Sequence, residues 1–86
     1  MPTIHSVFGL RVVIYSNDHR PPHIHLIGHG CEAVFNLQCP HGPLALRVNC
    51  GFSRRDLNRV IDKLTDQLAV FCYEWRQIHG PDRRLI

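Results

Sequence analysis

The stretch Ser16 to Leu26, SNDHRPPHIHL, carries the densest group of chemically active side chains in this chain of 86 residues. His19, His23 and His25 lie within it, next to Asp18. Imidazole transfers protons near neutral pH and is the commonest protein ligand for transition metals. These residue types therefore indicate a metal site, a proton-transfer site or a surface that binds an anionic partner.

A metal site requires His23 and His25 to project together. Side chains alternate across a strand, so if Ile24 enters the core the two histidines share the other face, with Cα atoms roughly 6.5 Å apart. His19 or Asp18, from the preceding turn, would complete three ligands for a divalent metal such as zinc. An open fourth position would suit a hydrolytic zinc, and the sequence indicates no other cofactor.

Cleavage of RNA without a metal is a second interpretation. Two of the three histidines would act as general base and general acid, and a guanidinium would hold the phosphate charge. Three arginines are candidates for that cation: Arg11, Arg20 and Arg47.

Binding without catalysis is a third interpretation, in which the same arginines and Tyr15 contact phosphate and bases, with Asp18 beside them. A fourth is a structural histidine cluster that holds the turn through bonds to the backbone. The spacing of the residues does not choose among the four, and whether the protein is an enzyme stays open at this stage.

The elements that must position these residues follow from the apolar pattern. β-Branched and alternating runs separated by Gly, Pro, Asn and Asp predict strands. Ser53, followed by Asp56, is typical of a helix start, and a stripe of apolar residues at three- and four-residue steps runs from Leu57 to Ile78. The predicted strands span about 10–15, 23–27, 31–38 and 44–50, the helix about 54–79, and a tail 81–86 follows.

The predicted fold class is α+β, with a four-stranded antiparallel sheet and one long C-terminal amphipathic helix packed on one face. Residues 1–86 would form one domain. The helix stripe is expected to cover the inward side of the sheet, and the other face is expected to be polar and solvated. The expected inward residues are Leu10, Val12, Ile14, Ile24, Leu26, Ala33, Phe35, Leu37, Leu46 and Val48.

Composition limits the setting of the protein. The net charge of +3 permits an acidic partner without requiring one. No apolar run approaches the roughly 20 residues that span a bilayer, and the start of the chain lacks a signal-peptide pattern, so a cytoplasmic location is expected. The four cysteines form no C-x-x-C pair and are expected to be reduced.

The chain resembles a family of small bacterial proteins known as domain of unknown function 4160. The resemblance covers nearly the whole chain, and its specific part is the pattern D-H-x-P-P-H-x-H. The matching positions are Asp18, His19, Pro21, Pro22, His23 and His25, supported by the stretch Met1 to Ile4, Gly9, Ala33, Trp75 and the pair His79-Gly80.

The resemblance implies a biological context but no particular reaction. Such proteins occur in bacteria and mobile elements and are suspected components of toxin–antitoxin modules, and no established catalytic residues come with the family. The expected function is therefore that of a toxin–antitoxin-like or mobile-element regulatory module that binds a partner through a His- and Arg-bearing sheet face. The expected partner is a cognate small protein from a neighbouring gene or a nucleic acid, with no membrane, and a homodimer is compatible with the small core.

Overall fold

A computed structural model describes residues 3–80 of the chain. The predicted tail 81–86 and the first two residues lie outside this described part. Five strands precede two helices in the chain. Their bounds are Thr3–Val7 (β1), Leu10–Val13 (β2), His23–Gly28 (β3), Cys31–Asn36 (β4), Ala45–Cys50 (β5), Arg54–Thr65 (α1) and Leu68–His79 (α2).

The five strands form one antiparallel sheet in the order β1-β2-β3-β4-β5. The α+β class is confirmed, whereas the prediction of four strands misses β1. A register irregularity between Thr3 and His5 interrupts the strict alternation of side chains in β1. Ile4 and Val7, three residues apart, therefore both pack against the core.

The prediction of one long helix is also wrong, because the chain leaves the helix between α1 and α2. The Thr65 hydroxyl donates to the carbonyl of Ile61 over 2.7 Å, a bond that bends helices. The Gln67 amide then bonds Leu64 three residues back, at 2.9 Å. No Gly or Pro marks the break, and the buried Leu64 and Leu68 keep the four-residue spacing across it. Periodicity alone therefore predicts a continuous helix.

The hydrophobic core lies between the helices and one face of the sheet. The apolar stripe of α1 and α2 supplies Leu57, Val60, Leu64, Leu68, Phe71 and Trp75. Eight of the ten sheet residues expected to face inward belong to this core. They are Leu10, Val12, Ile14, Ile24, Leu26, Ala33, Phe35 and Leu37.

Leu46 and Val48 are the exceptions, with 47% and 46% of their surfaces exposed. They lie on β5, the last strand of the sheet, where the register shifts opposite Val34 and Phe35. The helices leave this edge strand uncovered, so its apolar side chains remain at the surface. Part of the opposite face is more buried than expected, because Val13 and Val34 are 0% and 8% exposed.

Two of the four cysteines are bonded to each other, which corrects the expectation that all are reduced. The Cys39–Cys72 disulfide joins the loop before β5 to α2. Cys31 and Cys50 are free thiols. Spacing alone gives no sign of this pair, because the two cysteines are 33 residues apart in sequence.

No helix within residues 3–80 is both long enough and apolar enough to cross a bilayer.

Candidate metal centre

Asp18 lies in the loop that connects β2 to β3, held there by two bonds to Tyr15. The Asp18 amide donates to the Tyr15 carbonyl, and the Tyr15 amide donates to Asp18 Oδ2, both at 3.1 Å. Aspartate favours such turns because its short side chain reaches nearby backbone groups. The turn leaves the carboxylate pointing back over the start of β3.

His23 is the first residue of β3 and is almost fully buried. Its Nδ1 lies 2.8 Å from the carbonyl oxygen of Pro21. Because a carbonyl only accepts hydrogen bonds, Nδ1 carries the proton and donates it. Pro22 has no amide proton, and its carbonyl accepts from the Leu37 amide at 3.0 Å, just ahead of the ladder between β3 and β4.

His25 follows two residues later and presents its ring on the same side. Its Nδ1 lies 3.3 Å from Glu32 Oε2 on β4, so this nitrogen also carries its proton and donates it to a carboxylate. The Tyr15 ring packs against the His25 ring edge-on, with centroids 4.6 Å apart. The ring is thus fixed by a hydrogen bond and by an aromatic contact.

The remaining nitrogens of both rings converge on one oxygen. Nε2 of His23 is 3.4 Å and Nε2 of His25 is 3.3 Å from Asp18 Oδ2. One ligand atom from each of the three side chains lies within 4.8 Å of the others. The side chains of His23, His25 and Asp18 are 7%, 15% and 13% exposed, so the cluster is largely shielded from solvent.

The neutral form of both rings would make this convergence suited to a cation. With the proton of each neutral ring on Nδ1, both Nε2 atoms direct a lone pair toward the same carboxylate. His25 Nε2 is buried and forms no hydrogen bond, although Asp18 Oδ2 is within ion-pair distance. In that form the three electron-rich atoms would repel one another, and a metal ion between them would remove that repulsion.

The two nitrogen–oxygen distances agree with this interpretation. Zinc binds imidazole nitrogen and carboxylate oxygen at about 2.0–2.2 Å, so two ligands of a tetrahedral ion are about 3.3 Å apart. Both observed nitrogen–oxygen separations are close to that value. Two imidazoles and one carboxylate also form the ligand set of many zinc and non-haem iron centres.

Aromatic side chains from α2 support the cluster from one side. The Trp75 ring lies 5.2 Å from the His23 ring, and His79 stacks on Trp75 with centroids 3.8 Å apart. His23 is therefore between His25, at 5.2 Å, and Trp75. The expectation of a solvated histidine face is wrong for His23, because the second helix reaches this corner of the sheet.

The other predicted site residues lie outside the three-residue cluster. His19 and Arg20 are exposed in the loop, and His19 belongs to no potential ligand group among the described residues. Arg11 on β2 and Arg47 on β5 are exposed as well. Tyr15 contacts the cluster through its ring rather than as a ligand.

Three neighbours of the cluster were not predicted as site residues. The alternation of side chains along β4 turns Glu32 away from the core, but its pairing with His25 depends on the register of β3 and β4. Trp75 matched the core pattern of the helix. His79 is four residues after Trp75, a spacing that places side chains together on a helix.

Comparison with known proteins agrees with the sequence resemblance. The protein-family profile described as "Domain of unknown function (DUF4160)" matches residues 9–76, which is more than half of the chain. The chain belongs to the DUF4160 family. The DUF4160 match includes all three clustered ligands, Glu32 and Trp75, whereas His79 lies beyond it. No curated protein and no solved structure gives a significant match to this DUF4160 chain.

Proposed function

We propose that this protein is a metal-dependent hydrolase whose divalent metal, such as zinc, is bound by Asp18, His23 and His25. One observation carries the proposal: Nε2 of His23, Nε2 of His25 and Oδ2 of Asp18 converge, and both imidazoles are oriented by bonds to their other nitrogen. Such outer hydrogen bonds are a regular feature of metal-binding histidines, because they fix the tautomer and the ring angle.

The number of ligands supports hydrolysis over a purely structural role. Structural zinc sites have four protein ligands, whereas catalytic sites have three and keep a position for water. Only three candidate ligands cluster within the described residues. Water bound to zinc loses a proton near pH 7 and becomes a nucleophile. Its oxygen would bond to the electrophilic atom of an ester, and the leaving oxygen would take up the released proton.

Metal-independent cleavage of RNA has less support. A general base and a general acid need nitrogens that reach the substrate. Nδ1 of His23 and of His25 are bonded to Pro21 and Glu32, and both Nε2 atoms face Asp18. An acid–base pair of these two rings would therefore have to break the contacts that position them.

Partner binding in a toxin–antitoxin-like module is a second proposal, and a separate observation favours it. The edge strand β5 exposes Leu46 and Val48 beside Arg47, which is a surface suited to pairing with another polypeptide strand. A cognate small protein from a neighbouring gene is the proposed partner, and a nucleic acid on Arg11 and Arg47 is the alternative. The test is copurification with the product of the neighbouring gene. We expect the two proteins to copurify, and the substitution Val48→Asp to abolish this.

Element analysis tests the metal centre directly. We expect about one zinc, iron or nickel ion per chain in the purified protein, and loss of that ion in Asp18→Asn and His25→Ala. Since altering an outer partner alone lowers affinity about 10- to 100-fold, removal of a ligand is expected to lower it further. His19→Ala is the matched control, because it removes an exposed histidine of the same motif and should retain the metal.

Hydrolysis is tested with chromogenic carboxylate and phosphate esters, before and after chelation of the metal. Activity that disappears with the chelator and returns with zinc supports the proposal. If the metal raises the melting temperature but no ester is hydrolysed, the metal centre is structural and the hydrolase proposal is wrong. Loss of the ion in His19→Ala and its retention in Asp18→Asn would contradict the ligand assignment itself.

A further inference from the structure

A cavity of about 180 Å³ lies beside α2 and the loop that carries Asp18. We refer to it as the arginine groove. Two guanidinium groups, two half-cystines and two ring side chains form most of its lining: Arg20, Arg76, Cys39, Cys72, Pro22 and Trp75.

The charge of the groove is unbalanced. Arg20 and Arg76 are always protonated, and no carboxylate belongs to the lining. Within residues 3–80, neither guanidinium is in an ion pair with an acidic side chain. Two like charges at one small cavity repel each other, so an anion that bridges them would be stabilised.

The chemistry of the two groups favours phosphate as the anion. A guanidinium presents a planar fork of donors that matches two phosphate oxygens, and phosphate carries up to two negative charges to balance two arginines. The chain has one lysine against nine arginines, so its cations are nearly all of the type suited to this contact.

The groove adjoins the proposed metal centre through two connections. Arg20 lies between the ligands Asp18 and His23 in the chain, separated from His23 only by the two prolines. Trp75, which lines the groove, also contacts the His23 ring at 5.2 Å. A molecule held in the groove is therefore next to residues that orient the metal ligands.

We infer that the arginine groove binds the phosphate group of the substrate, so that the hydrolase acts on a phosphate ester. That the phosphate belongs to a substrate rests on the proposed function. The binding of phosphate by the groove does not depend on it. Arg20 and Arg76 hold the phosphate oxygens, and Trp75 lines the groove beside His23.

Trp75 provides the measurement, because it is the only tryptophan in the chain. Inorganic phosphate is titrated into the full-length protein in the presence of a chelator, and the fluorescence of Trp75 is recorded at constant ionic strength. A saturable change is expected. Arg20→Gln and Arg76→Gln should each weaken the affinity about tenfold, the effect of losing roughly 1.4 kcal/mol of binding free energy.

Matched controls separate the groove from general charge effects. Arg55→Gln removes an exposed arginine of α1 outside the groove and should bind phosphate as the unaltered protein does. Acetate replaces phosphate in a second titration and is expected to give a weaker signal. Circular dichroism of each variant verifies that it is folded.

The outcomes distinguish this inference from the metal proposal. Saturable binding that is weakened about tenfold in each arginine variant and persists in His25→Ala supports the groove, whether or not a metal is found. Absence of saturation, or equal affinity in Arg76→Gln and Arg55→Gln, overturns it even if the metal is present. Where hydrolysis is measured, Arg76→Gln should raise KM for p-nitrophenyl phosphate and leave KM for p-nitrophenyl acetate unchanged.

Discussion

His25 is the most constrained side chain of the proposed metal centre. Both of its nitrogens face carboxylates, with Glu32 at 3.3 Å from Nδ1 and Asp18 at 3.3 Å from Nε2, while Tyr15 packs against the ring. A neutral imidazole has one proton for these two contacts. The contact with Glu32 uses that proton, which would leave Nε2 free to bind the proposed metal beside Asp18.

At this scale we predict that Glu32→Ala lowers zinc affinity about 10- to 100-fold without abolishing it, because Glu32 orients His25 and makes it more basic. The zinc affinity of Glu32→Gln should lie between those of the unaltered protein and Glu32→Ala, since the amide oxygen of Gln still accepts the hydrogen bond from His25. Asp62→Ala, which removes an exposed carboxylate of α1, is the control for net charge. Competition with a chelating dye measures the affinities, and equal values for Glu32→Ala and Asp62→Ala would contradict the role of Glu32.

Strand β3 is the element that separates the core from the site. Ile24 and Leu26 are fully buried in the core, and His23 and His25 point to the other face toward Asp18. A shift of one residue in its register would exchange the two sets. The strand can therefore hold the ligands in place only while its apolar residues remain packed.

We predict that Ile24→Ala lowers the free energy of unfolding by about 2–5 kcal/mol, through lost burial and the cavity left behind. Ile27→Ala, on the half-exposed side of the same strand, should cost clearly less. Urea denaturation measures both values. Similar losses for the two variants would show that the alternation of β3 does not define the core as described.

The division of the helical segment affects the site as well. Helix α2 begins anew at Leu68, and its last turns bring Trp75 next to His23 and His79 onto Trp75. The apolar stripe predicted which residues of this segment are buried. It did not predict the break, since the bond from Thr65 to Ile61 leaves the spacing unchanged.

The molecule as a whole is closed by the Cys39–Cys72 disulfide, which ties the loop before β5 to α2 beside the arginine groove. A small domain has a limited core, so a covalent link of distant segments is a substantial part of its stability. Disulfides persist in oxidising compartments, and the cytoplasmic location expected from the sequence therefore stays a prediction.

We predict that the double variant Cys39→Ser with Cys72→Ser loses about 3–4 kcal/mol of unfolding free energy, the chain-entropy value for segments 33 residues apart. Cys50→Ser, at an exposed free thiol, should change it little. Titration of thiols in the denatured, unreduced protein should count two. A count of four would show that the disulfide is absent.

The sequence by itself determined the α+β class, most of the core and the common direction of His23 and His25. These features repeat at the period of a strand or a helix, and the period can be read from neighbouring residues. Only the tertiary structure decided that Asp18 rather than His19 joins the two imidazoles, that Glu32 and Trp75 support them, and that Cys39 pairs with Cys72. These features depend on loop conformation and on contacts between distant segments, and neither produces a periodic pattern in the sequence.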